Sequence, residues 1–230
     1  MRRVPVLVVA ATLALTACGG TPPSEEPVNQ TPSPTAAPSD SVAPSAAASA
    51  GATALEASAT ALPPGRYTRE GFAPPIALEL DEGWRAGQLF DGFFDVQQDV
   101  GSPHVIAIQF ANVRGVHGSD GSEEVADAAA AAAALGEHPG LNVVESSESR
   151  IGGLTGQQIT VENAGSAHAE VVDVPLGPLG IDPDRRLWIA FFDTEDGLLA
   201  IMVGGSVERW HEALATAEPV LESVEIGTQP

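Results

Sequence analysis

Asn142-Val143-Val144-Glu145-Ser146-Ser147-Glu148-Ser149-Arg150-Ile151, Gly152-Gly153, and Leu154-Thr155-Gly156-Gln157-Gln158-Ile159-Thr160-Val161 form the stretch that decides the fold. Two segments of strand length flank a glycine pair. Two-residue hairpin turns that match strand twist need positive φ, which glycine adopts freely. Residues 187–192 and 198–203 repeat the plan around the acidic turn Asp193-Thr194-Glu195-Asp196-Gly197. Working outward, residues 169–174 read as a strand ending at Pro175, and 104–113 as a strand buried on at least one face. Residues 76–80 alternate as Ile-Ala-Leu-Glu-Leu and meet Asp81-Glu82-Gly83-Trp84, a turn with an aromatic anchor. Residues 65–68 and 93–96 are shorter strand candidates.

Two segments carry helical signals. Residues 123–135 follow Ser122 as N-cap, have acidic residues in the first turn and end before Gly136. The alanine run there lets a helix sit close to a sheet. Val207, Trp210, Leu214 and Ala217 recur at helical spacing after Ser206 as cap, and Pro219 is expected to kink or end that helix. Residues 220–226 close the chain as a last helical turn and a short strand. The expected fold class is α+β, an antiparallel sheet covered by two helices, in a single globular domain over residues 65–228.

This order resembles the PsbP-like α/β-sandwich proteins, which include small lipoproteins of the LpqN type in actinobacteria. The resemblance covers roughly residues 66–226. It rests on residues 75–84 (apolar alternation, then Gly83-Trp84), on the hairpin Gly152-Gly153-Leu154-Thr155-Gly156-Gln157, and on the closing residues 218–226. It implies an α/β sandwich and brings no shared catalytic residues.

The N-terminus speaks of location. Arg2 and Arg3 precede an apolar run of 14 residues, 4–17. The run is too short for a membrane-spanning helix of ~20 residues and suits a signal of ~7–15. Leu15-Thr16-Ala17-Cys18 resembles the lipobox of bacterial lipoproteins, and Cys18 is the only cysteine. The resemblance implies that Leu15, Thr16 and Ala17 are read by the signal peptidase, that residues 1–17 are removed, and that Cys18 carries a diacylglyceryl group. Two acyl chains anchor stably where one is marginal. The protein is then held on the extracytoplasmic face of the cell membrane through lipid alone, with no thiol left for redox or nucleophilic chemistry. A simple secreted protein cut near Ala17 is the alternative.

Residues 18–64 read as the lipidated cysteine and a disordered tether. Residues 19–64 hold 12 Ala, 9 Pro, 7 Ser and 5 Thr, and all 11 aromatic residues of the chain lie beyond them. Without large apolar groups such a segment cannot offset the entropy of ordering. Its reach is roughly 40 Å as a coil and roughly 140 Å fully extended. Residues 46–61 can form a transient helix, with too few large apolar residues to dock firmly. The Ser/Thr/Pro content also suits glycosylation.

Charge narrows the partners. Loss of Arg2 and Arg3 leaves 31 acidic residues against 8 arginines, formally −23, and residues 65–230 carry 27 against 8, or −19. There is no lysine. Such a surface repels nucleic acid and anionic lipid. It keeps a tethered domain apart from its neighbours, or recruits a basic partner or cations.

No catalytic or metal motif emerges, and no cofactor is expected. His104, His117, His138, His168 and His211 form no short pair of the zinc-binding kind. The 193–197 turn lacks the spacing of a calcium loop. Asp91 and Asp95 are partners across a turn at most. Gly118-Ser119-Asp120-Gly121-Ser122 is neither a nucleophile elbow nor a phosphate loop and reads as a mobile loop with a cap. Trp84, Trp188 and Trp210 are expected as core anchors. Three functions are consistent with this: non-enzymatic binding of an envelope protein or cell-wall component, carriage of a small apolar ligand between sheet and helix, or an uncharacterised hydrolase.

Overall fold

The computed structural model describes residues 51–57, 60–69 and 71–227. The signal at 1–17 with Leu15, Thr16 and Ala17, the lipidation site Cys18, and the tether as far as residue 50 lie outside the described residues. In chain order come β1 (Thr53–Ala54), β2 (Gly65–Arg69), β3 (Ile76–Leu80), β4 (Arg85–Phe90), β5 (Phe93–Gln98), β6 (Ile106–Val113), β7 (Gly115–Gly118) and β8 (Gly121–Glu123). Then follow α1 (Ala128–Gly136), β9 (Leu141–Ile151), β10 (Leu154–Asn163), β11 (Ala169–Val174), β12 (Gly177–Ile181), β13 (Arg185–Thr194), β14 (Gly197–Ser206), α2 (Trp210–Ser223) and β15 (Glu225–Ile226).

The centre is a seven-stranded sheet, β4-β5-β6-β14-β13-β10-β9, antiparallel throughout. Its middle strands are buried on both faces, so Leu187–Phe192 and Leu199–Val203 are apolar without a break. Successive residues feed opposite cores. Phe94, Ala190, Phe192 and Ile201 join the cluster with α2, β2 and β3, while Phe93, Ile189, Phe191 and Met202 join the one with α1, β7 and β11.

The expectation of a sheet covered by two helices is overturned. Fifteen strands and two helices are found among the described residues, in three sheets, and the fold is mainly β. The reason is width. Seven strands at ~4.8 Å spacing make a surface roughly 30 Å across, and a helix ~10 Å wide shields a third of it. The remainder of each face is closed by a small sheet: β1-β2-β3-β15 beside α2, and β12-β11-β7-β8 beside α1.

Local signals were followed unevenly. Gly152 and Gly153 have φ of 57° and 83°, and Ile151 pairs with Leu154 across them, as the hairpin requires. The first helix is shorter than expected. Gly121–Glu123 pair back onto β7 as β8, so the 118–122 segment is a hairpin and not a mobile loop, and Ser122 caps nothing. The cap is Asp127, whose carboxylate accepts the Ala130 N–H at 2.8 Å. The second helix begins at Trp210 without a side-chain cap, and it continues through Pro219 to Ser223.

The folded part also starts before Gly65. Thr53–Ala54 pair in parallel with β2, the Leu55 N–H donates to the Thr68 carbonyl at 2.7 Å, and Leu55 is 3% exposed. Leu62 packs against the same core. Two leucines suffice to dock a segment whose composition otherwise reads as tether.

Candidate functional site

Two hollows among the described residues hold side chains that bear on function. The first is a groove of about 700 Å³ between α2 and the β9-β10-β13 end of the sheet. Thr160 and Trp188 face each other in register on β10 and β13, and Glu162 and Arg186 do so two pairs further on. Gly205 lets α2 approach: a Cβ there would lie 2.7 Å from the Ala213 Cβ. Trp210 enters from the start of α2. Trp188 is 8% exposed and Trp210 5%, so both expected core anchors also form the groove floor.

Arg186 joins the two sides. Its Nη2 donates to Glu162, its guanidinium lies 5.5 Å over the Trp210 ring, and its Nε is shut from solvent without an acceptor. Glu145 of β9 and Glu218 and Glu222 of α2 rim the groove, with Arg150 and His211. A floor of indoles and a charged rim is the composition of a recognition surface more than of a sealed apolar cavity.

The second hollow, about 690 Å³, gathers three of the five histidines that look scattered in the sequence: His117, His138 and His168, with Glu170 beside them. His117, on β7, faces carboxylates with both ring nitrogens, Nε2 at 3.2 Å from Asp173 and Nδ1 at 3.6 Å from Glu170. His138 Nδ1 accepts the Gly140 N–H at 2.9 Å. Burial, then the neighbouring His117, pull the His138 pKa below its ordinary value. His168 Nδ1 is 2.8 Å from Asp182 at the surface. Among the described residues no group of three His, Cys, Asp or Glu is arranged to hold a metal ion.

Ser122 and His117 are register partners on β7 and β8, and both bond Asp173 of β11. The Ser122 hydroxyl donates to Oδ2, and this bond, more than His117, holds the Asp173 carboxyl below its usual range. A hydrolytic triad needs the imidazole between hydroxyl and carboxylate. Here the carboxylate stands in the middle, so the serine is tied to a weak base and not activated.

Other residues singled out from the sequence have structural work. Asp193 accepts the Ala128 N–H at 2.9 Å and so tethers the start of α1; Thr194 Oγ1 donates to the Gly197 carbonyl and closes the turn. The 193–197 segment is a hairpin end. Asp91 lies in the exposed β4-β5 turn, whereas Asp95 is 2% exposed and accepts from the Gln88 N–H and the Gln97 side chain; the two are not brought together. Trp84 is buried in the core, and His104 Nδ1 lies 3.1 Å from Ser206 Oγ. The groove itself carries no sequence signature beyond Trp188 and Trp210, because β9, β10, β13 and α2 come together only in the fold.

No family model and no curated protein matches the chain. Solved structures do. Cyanobacterial PsbP (CyanoP) from Synechocystis sp. PCC 6803 superposes with a TM-score of 0.39 at 11% identity, over 74% of this chain and 97% of that one. LpqN, involved in cell envelope biogenesis of Mycobacterium tuberculosis, gives 0.37 at 10% identity, over 73% and 89%. A structure from Bacteroides thetaiotaomicron VPI-5482 gives 0.31 at 10%, over 67% and 46%. PsbP-like and LpqN-type proteins, to which the sequence motifs point, are thus among the solved structures that the chain matches, and no residue's role is transferred from them.

Proposed function

We propose that this chain is a lipid-anchored extracytoplasmic binding module. Cys18 holds it on the outer face of the cell membrane, the segment that follows serves as a stalk, and the folded part binds an envelope protein or a cell-wall component. The observation that carries the binding reading is the groove between α2 and the sheet, with Trp188 and Trp210 in its floor and charged residues on its rim. Aromatic side chains give large contact area at small entropic cost, and a polar rim suits a solvated partner. A carrier of an apolar ligand needs an enclosed apolar cavity, whereas this groove opens between Glu145, Arg150 and Glu218. The hydrolase reading loses its footing with the order of Ser122, Asp173 and His117.

A photocrosslinking residue at His211, on the groove rim, tests the binding reading in whole cells. A reproducible product is expected from position 211, none from Glu195 in the exposed hairpin turn, and loss of the product with Ala215→Arg, which fills the groove from an exposed position. Equal products from both positions, or none from 211, overturn it. The anchor has a separate test. Cys18→Ala is expected to release the protein from membranes or to leave its signal uncleaved, and unchanged lipidation refutes the assignment.

A further inference from the structure

The end of the large sheet beside the groove is open. β9 is the outermost strand, and among the described residues it pairs only with β10. It has 11 residues, and the seven from Asn142 to Glu148 are all exposed. Such an edge offers a row of unpaired backbone N–H and C=O groups, a ready template for another strand. A register shift opposite Thr160 and Val161 marks a bulge at Val144, so the regular part of the edge runs over residues 145–151. Ser146, Ser147 and Ser149 are small and leave room for a neighbour's side chains.

Charge decides the occupant. Glu145, opposite Thr160, stands on the groove face of β9, and Glu218 and Glu222 face the same groove from α2. None of the three has an ion-pair partner among the described residues. Arg186 is engaged by Glu162, which leaves Arg150 against three carboxylates. A second copy would bring the same acids and a domain charge of −19 to the edge. The chain's own residues 19–50 carry Glu25, Glu26 and Asp40 and no base. Both are repelled, and a cationic segment is drawn in.

We infer that β9 is the docking strand for an extended, lysine- or arginine-bearing segment of a partner protein. The segment adds to the sheet as an eighth strand and turns its basic side chains toward Glu145, Glu218 and Glu222. This deepens the binding reading above and rests on it. Main-chain hydrogen bonds supply affinity in this mode, and alternate side chains supply selectivity.

The test uses the full chain in detergent and synthetic peptides of about eight residues, the length of a common strand. One alternates lysine and valine, one alternates glutamate and valine, and one is the lysine peptide N-methylated at alternate amides. Fluorescence anisotropy is expected to show the lysine peptide binding at least about tenfold more tightly than either other. Hydrogen exchange is expected to slow at alternate amides between Glu145 and Arg150. The double variant Glu145→Lys/Glu218→Lys is expected to lose the preference for lysine over glutamate. Binding that tolerates N-methylation, or that leaves the β9 amides unprotected, overturns strand addition. The two readings fail separately. A partner that crosslinks at position 211 while the lysine peptide fails to bind removes the strand and keeps the groove. A peptide bound with β9 protected, without any crosslinked partner, keeps the strand and removes the groove as the partner's site.

Discussion

The seven-stranded sheet ends in β4 on one side and β9 on the other, and the two edges are finished in opposite ways. β4 has six residues and a register shift between Ala86 and Leu89. The Gln88 N–H freed by that irregularity is taken by the buried Asp95 carboxylate of β5. Gly87 is obligatory beside it, since a Cβ would lie 2.5 Å from Asp95 Oδ1. The segment before β2 then straps this end: the Leu62 N–H donates to the Trp84 carbonyl at 2.7 Å, and Leu55 is buried in the same core. β9 has 11 residues, no strap among those described, and solvent on both faces over most of its length. Bulges, cover and charge are among the ways proteins keep an edge from pairing. β4 uses the first two. β9 relies on charge and one bulge, and charge alone discriminates between partners.

The largest effect that tests this contrast belongs to the strap. Leu55→Ala removes a side chain that is 3% exposed, and the loss is expected to be about 2–3 kcal/mol in urea unfolding. The same substitution in a detached tether would cost nothing, so an unchanged midpoint would detach the strap and make the two edges alike.

A smaller effect comes from Asp95. Burial pushes its carboxyl above the ordinary 3.8, against hydrogen bonds from Gln97 and Gln88 that pull it down. The folded state therefore binds this proton more tightly than the unfolded chain does. The resulting contribution is full below 3.8 and is lost as pH rises through the raised value. Asp95→Asn has no such loss. Relative to the parent, its stability is expected to climb as pH rises from 3.8 through the raised value, and a difference independent of pH would show that β4 is not closed by a carboxylate under strain of burial.

How far this contrast could be read in the sequence depends on where each signal resides. β3 and β11 fall where alternation and Pro175 put them, and the Gly152-Gly153 turn closes as its φ values demand. β4 and β12 were invisible. Arg-Ala-Gly-Gln-Leu-Phe and Gly-Pro-Leu-Gly-Ile lack strand propensity, and pairing with β5 and β11 imposes the conformation. Leu55 was hidden in an alanine-rich segment because burial of one leucine depends on a core that lies elsewhere in the chain. The histidines of the second hollow sit on three separate elements and loops, so only the fold unites them. The local pattern marks both helical segments but does not show how many strands each must shield.

The smallest expected effect is the most telling about β9. Glu145→Lys changes an exposed side chain with no ion-pair partner among the described residues, so stability is expected to move by no more than about 0.5 kcal/mol. At β4 the residues that close the edge, Ala86 and its neighbours Trp84 and Asp95, are buried, so a change to any of them alters folding and surface together. At β9 the two are separable. If Glu145→Lys leaves the urea midpoint in place while reducing the crosslinked product at position 211, the acid at this edge acts in recognition and not in folding. A shift of the midpoint by more than about 1 kcal/mol would instead make β9 part of the stability of the sheet, and the distinction between a closed edge and an open one would fall.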